Sequence, residues 1–129
     1  MASIVIVEDN TAVRMLMIEL IKETSHHIQG VFKDGSALFK QYDEEPPDLW
    51  ILDYELPGVN GIEISRNILS RHPSSLILLC TGKVEWVLGD ARQLGLDVLG
   101  KPFEIDEFIG RIESILQNKN DGNHSYDEL

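Results

Sequence analysis

Five short apolar runs recur along the chain, at 4–7, 28–32, 49–52, 76–80 and 97–100, each followed by a longer stretch of helical spacing. Continuous hydrophobicity and β-branched content mark the runs as strands buried on both faces, the habit of a parallel sheet. The second run is the most mixed in composition. Between the runs, apolar residues recur three and four apart. Val13, Leu16, Met17, Leu20 and Ile21 form one stripe, and Ile105, Phe108, Ile109, Ile112, Ile115 and Leu116 form another. Asn60-Gly61-Ile62-Glu63 reads as a capping box opening a helix. Asp34-Gly35 marks the turn before the second helix. The alternation predicts a doubly wound α/β domain with right-handed crossovers and helices on both faces of the sheet.

The chain has 129 residues, enough for one domain with a substantial core and too few for two. Net charge is −11, from 22 acids against 11 bases, a field that repels nucleic acid. That excess is either a solvated acidic surface or a cluster of acids at a cation site. The lone cysteine, Cys80, sits in an apolar run. It excludes an internal disulfide, fits a reducing compartment and reads as buried filler. The start, MASIVIVEDN, has no basic stretch and only a short apolar run, so neither a signal peptide nor a membrane span is expected. The cytoplasm is the expected location. Residues 1–118 are expected to form the domain, and the polar residues 119–129 a frayed tail or the start of a linker.

In such folds ligands bind beyond the carboxyl ends of the strands. The first strand should end at Glu8-Asp9, the third at Asp53, the fourth at Thr81-Gly82 and the fifth at Lys101-Pro102. Three carboxylates, a hydroxyl and an ammonium would then share one rim. Crowded carboxylates raise one another's pKa unless a cation sits among them. Mg²⁺, a hard ion that prefers oxygen ligands, suits such a group. Asp9 and Asp53 would each offer an oxygen, Glu8 would hold a metal-bound water, and the backbone carbonyl of Glu55 would complete the protein's share. The Pro57-Gly58 turn would keep that loop tight. Asp53 would attack phosphorus in line, Lys101 would neutralise one phosphoryl oxygen and Thr81 would donate to another. A cis Lys101–Pro102 bond would suit a tight reversal there. Taken singly, each residue has a plainer role as a cap, a turn or a local hydrogen-bond partner. The conjunction at four strand ends, in order, carries the signal.

These segments, VIVEDN, LDYELPGVNG, LLCTG and GKPFE, resemble those of bacterial two-component response-regulator receiver domains, over about residues 3–118. The resemblance implies a flavodoxin-like (βα)5 fold with strand order 2-1-3-4-5. It implies Asp53 as phosphoacceptor, Glu8 and Asp9 as the acidic pair, Thr81 as the switch hydroxyl and Lys101 as the site lysine. It also implies a sensor histidine kinase, a histidine phosphotransfer protein or a small acyl phosphate as donor, and a downstream protein target. Such a domain is a phosphoacceptor that promotes its own phosphorylation and dephosphorylation, not an enzyme turning over a separate substrate.

The chain departs from that family in places. Val98 stands where an aromatic is common, so relay to the helices beside the fifth strand is muted or rerouted, or Val98 simply packs. Glu55 and Lys83 stand at positions that resemble those flanking the path of an attacking water in that family. They either cover the phosphoryl group and set its lifetime or are two solvated side chains. On the helix over 84–94, Val84, Val87, Leu88, Ala91 and Leu94 share a face and Trp86 lies opposite. It is either an exposed partner anchor or a ring lying flat on its own helix. Asp97, Glu107 and Arg111 fall near charges that some receivers use for a symmetric homodimer, though the set is incomplete. His26, His27, His72 and His124 lack ligand spacing and read as solvated surface residues, while Trp50 reads as core.

Two other classes compete. Asp53-Tyr54-Glu55 echoes the Asp-x-Asp motif of aspartate phosphatases, but their nucleophile usually follows the first strand. A receiver-like module that never carries phosphate is argued against by the full acidic set. Thr81-Gly82-Lys83 is no P-loop, because Ile77 occupies the position of the required glycine.

Overall fold

The computed structural model describes residues 1–36, 38 and 45–120. Five strands, β1 (Ser3–Val7), β2 (His27–Phe32), β3 (Leu49–Asp53), β4 (Ile77–Thr81) and β5 (Asp97–Gly100), form one parallel sheet in the order β2-β1-β3-β4-β5. Every expected strand forms, with ends displaced by at most one residue. Four helices are described: α1 (Thr11–Lys22), α2 (Gly61–Arg71), α3 (Val84–Leu94) and α4 (Ile105–Asn120). The helix expected after Asp34-Gly35 lies largely outside the described residues, as do residues 121–129 of the expected tail. The first two residues assigned to that tail, Lys119 and Asn120, continue α4.

Strand alternation divides the core into two layers. Ile4, Ile6, Leu49, Ile51, Leu78, Cys80 and Leu99 point to the side covered by Met17 and Ile21 of α1 and by Phe108, Ile112, Ile115 and Leu116 of α4. Val5, Val7, Trp50, Leu52, Ile77 and Leu79 point to the other side, against Ile62, Ile64 and Ile68 of α2 and Val87 of α3. Fully burying each such side chain contributes about 1.5–3 kcal/mol, so both faces are committed and only the strand ends remain for chemistry. Trp50 is core, as expected. Burial pushes the Cys80 thiol up to about 12, which leaves it inert filler.

Three expectations need correction. Leu16 and Ile105 belong to helical stripes yet are exposed, at 42% and 54%. Leu16 lines a pocket with Lys101, Pro102 and Phe103, and Ile105 is the first residue of α4. His26 is not a solvated side chain. Its Nδ1 accepts from the Ala2 N–H at 3.0 Å and its Nε2 lies 2.9 Å from Glu113, tying the start of β1 to α4. His72 also has a buried Nε2. His124 lies outside the described residues.

Candidate functional site

Sheet register gathers the site. Val7 lies opposite Leu52, so the next residue of each strand path, Glu8 and Asp53, emerges side by side. On the other flank Thr81 lies opposite Gly100, and the Lys101 N–H donates to the Thr81 carbonyl at 2.8 Å. Carboxylate oxygens of Glu8, Asp9 and Asp53 fall within 4.8 Å of one another. Glu8 and Asp53 are buried, while Asp9 is exposed at the rim.

Lys101 is the cation among these acids. Its Nζ lies 2.9 Å from Glu8 Oε1 and 3.2 Å from Asp53 Oδ1. The Lys101–Pro102 peptide bond is cis. Burial would pull the ammonium's pKa down, but the Glu8 hydrogen bond and the two neighbouring carboxylates outweigh it and raise it. Asp53 moves the other way from a paired acid. Burial, then the hydrogen bond and charge of Glu8, push its carboxyl up to about 7, against the opposing pull of Lys101 and the Glu55 N–H. One ammonium therefore undercompensates the cluster. Clustered oxygen donors with surplus negative charge fit a hard divalent cation such as Mg²⁺.

The loops are braced from behind. Asn10 caps α1, accepting from the Val13 N–H at 3.0 Å, and its own N–H donates to Glu8 Oε2 at 3.1 Å. The Arg14 guanidinium donates to the carbonyls of Glu8 at 2.9 Å and Asp9 at 3.3 Å. Beyond Asp53, the Glu55 N–H folds back onto Asp53 Oδ1 at 3.1 Å, and Leu56 is buried in the core. Gly58, at φ 80, makes the bend that glycine favours. The expected capping box at Asn60 and Glu63 is present. Gly61 supplies more than a box position. A Cβ there would meet the Asp53 carbonyl at 2.5 Å and Leu79 Cδ1 at 2.7 Å, so only glycine lets α2 start this close to the acceptor loop.

Asn10, Arg14 and Gly61 were absent from the expected site. Asn10 before an apolar stripe is a legible helix cap. Arg14 acts through the carbonyls of Glu8 and Asp9 and Gly61 through the space its missing Cβ leaves, and neither role shows in local spacing.

On the opposite flank, Thr81 is buried and its hydroxyl donates to Glu55 Oε1 at 3.3 Å while accepting from the Lys83 N–H at 2.8 Å. Lys83 Nζ lies 4.0 Å from Glu55 Oε2 and 4.2 Å from the centre of the Trp86 ring. Trp86 is 65% exposed, and Val84, Val87, Leu88, Ala91 and Leu94 face inward as expected. Val98 packs at the margin of one core layer, and its carbonyl accepts from Arg111. Asp97 is exposed near Arg111, and Glu107 accepts from the Glu104 N–H at 3.0 Å. None of these contacts involves Glu8, Asp9 or Asp53.

Comparison with known proteins gives the family. Residues 4–113 match the family described as the response regulator receiver domain, and the chain belongs to it. It is thus a receiver domain of two-component signalling. The chain is 26% identical over 115 residues to the chemotaxis protein CheY of Listeria monocytogenes, covering 88% of this chain and 97% of CheY. It is 32% identical over 123 residues to the response regulator ArlR of Staphylococcus epidermidis, covering 94% of this chain but only 55% of ArlR. Among solved structures, a LuxR-family DNA-binding response regulator from Staphylococcus aureus superposes with a TM-score of 0.80 at 26% identity, covering 89% of this chain and 98% of that one. Among the described residues, no helix is long and apolar enough to cross a membrane.

Proposed function

We propose that Asp53 accepts a phosphoryl group and that its charge switches a protein-binding surface on the same chain. The carrying observation is a buried aspartate at the end of the middle strand, with two further carboxylates within 4.8 Å and Lys101 at 3.2 Å. Glu8, Asp9, Asp53 and the Glu55 backbone carbonyl would hold Mg²⁺, which supplies charge neutralisation for an incoming phosphoryl group. An Asp53 carboxylate oxygen attacks phosphorus. The bond from phosphorus to a histidine nitrogen, or to the bridging oxygen of a small acyl phosphate, breaks, and the leaving group takes the electron pair. Lys101, 3.2 Å from Asp53, balances the added charge, and Thr81 offers its hydroxyl to a phosphoryl oxygen on giving up Glu55.

The donor on this reading is a sensor histidine kinase or a histidine phosphotransfer protein. The receiver promotes both its own phosphorylation and its dephosphorylation, and it works in the cytoplasm. Glu55 and Lys83 cover the phosphoryl group and tune its lifetime. Trp86 anchors a downstream protein. With Val98 in place of an aromatic, the change at Thr81 reaches that surface by another route. A homodimer through the face bearing Asp97, Glu107 and Arg111 remains a secondary element of the proposal. Residues 1–118 act as the receiver, α4 runs on through Asn120, and 121–129 act as a tail or linker.

Intact mass after treatment with Mg²⁺ and acetyl phosphate tests the central step. One added phosphoryl group is expected, lost with Asp53→Asn. No gain in mass, or an unchanged gain in the variant, would overturn it.

A further inference from the structure

Lys83 is an unexpected residue for its position. It is the N-cap of α3 and makes no capping hydrogen bond from its side chain. A cation at a helix N-terminus opposes the helix dipole. Two groups hold the ammonium there: the Glu55 carboxylate on the acceptor loop, at 4.0 Å, and the Trp86 ring one turn into the helix, at 4.2 Å. The same Glu55 carboxylate also accepts the Thr81 hydroxyl. A continuous set of contacts therefore runs from Asp53, through the Glu55 backbone and side chain, to Lys83 and the exposed indole.

We infer that Trp86 is a positioning residue for the acyl phosphate, keeping Lys83 over the mouth of the site and so lengthening the phosphoryl lifetime. The inference rests on the phosphoacceptor reading above. Hydrolysis requires water to attack phosphorus opposite the Asp53 oxygen. The phosphorus–oxygen bond then breaks, the carboxylate leaves with the electron pair, and inorganic phosphate departs. On that reading Glu55 and Lys83 stand beside the path of that water, Glu55 being hydrogen-bonded to Asp53 and Thr81 and Lys83 lying 4.0 Å from Glu55. Lys83 is half in solvent and its long chain has many rotamers, so a ring that favours one of them keeps the cover closed. A protein that takes the indole as its anchor competes with Lys83 for the ring. Binding at α3 and phosphoryl lifetime are then linked, each altering the other.

The test loads the full chain with acetyl phosphate and Mg²⁺, removes the donor, and follows the decay of the phosphorylated mass. Lys83→Ala and Trp86→Ala should each shorten the lifetime by about two- to five-fold, the worth of one exposed cation–π contact. The double variant should decay no faster than Lys83→Ala alone, because the two residues act as one unit. Trp86→Phe, which keeps an aromatic face, should recover most of the lifetime. Trp86 lies outside both core layers, so these variants retain the fold. An unchanged lifetime in Trp86→Ala, effects that multiply in the double variant, or no recovery by phenylalanine would each overturn the inference while leaving Asp53 as acceptor. Failure of the parent chain to gain a phosphoryl group would overturn the acceptor reading itself.

Discussion

Two aspartates bound the same strand and lead opposite lives. Asp48 stands just before β3 and Asp53 closes it. Asp48 Oδ2 accepts from both the N–H and the hydroxyl of Ser3, at 2.9 and 3.2 Å, and its own N–H returns a bond to Ser3. It is a clasp between the starts of β1 and β3. Asp53 meets Glu8 and Asp9 instead, shares one lysine with Glu8, and has its carboxyl driven up to about 7. Residue type does not make an aspartate reactive. The number of charges brought beside it, relative to the donors available, does.

The sharpest way to break this contrast is to crowd the acceptor loop. Gly61→Ala places a methyl group against the Asp53 carbonyl and should cost about 2–3 kcal/mol of stability, read by urea unfolding, with reduced phosphoryl uptake. An ordinary stability in that variant would show that α2 and the loop adjust freely. Next in size is the cation. Mg²⁺ at a hundred times its dissociation constant should add about 2.7 kcal/mol to unfolding, and a chelator should remove it. The gain should survive Asp48→Asn and largely vanish in Asp53→Asn. Equal gains in both would make the two ends of β3 equivalent.

The pH dependence follows from the raised carboxyl of Asp53. The folded chain keeps a proton between pH 4 and 7 that the unfolded chain, with an ordinary aspartate near 3.8, releases. Its contribution favours folding below about pH 4 and is lost as pH rises through about 7. Without metal, Asp53→Asn should therefore be more stable than the parent at pH 8, by about 2 kcal/mol. That is roughly half the ceiling such a displacement sets, since Glu8 and solvent share the charge. The advantage should shrink towards pH 4, and unfolding curves at the two pH values would show it. A gain that ignores pH would mean that asparagine merely packs better. Smallest of all, Asp48→Asn weakens a charge-assisted clasp and should cost about 1 kcal/mol at pH 7 while phosphoryl uptake persists.

Much of the fold was readable because its signals are local. The strand at 97–100 has the bounds expected, and the capping box at Asn60 forms as its spacing predicts. Glu8, Asp9, Asp53, Thr81 and Lys101 announce themselves by standing at successive strand ends. Leu16 and Ile105 misled, since periodicity identifies a helix face but not where the cover above it ends. His26 misled for a related reason, because its partners, Ala2 and Glu113, are distant in sequence. Lys83 over Trp86 needed both the helix turn and the Glu55 loop to be placed before either contact had meaning.

By itself the chain's order of residues determined the alternation of strands and helices, the burial of those strands on both faces, and the set of acids at their ends. Period and punctuation are written within a few residues, so they need no knowledge of the rest. Only the tertiary structure decided that Glu8 and Asp53, 45 residues apart, would share one lysine and that one of the two would become a weak acid. Electrostatic coupling depends on separation in space and on the water excluded between groups, and both are set by sheet register and burial.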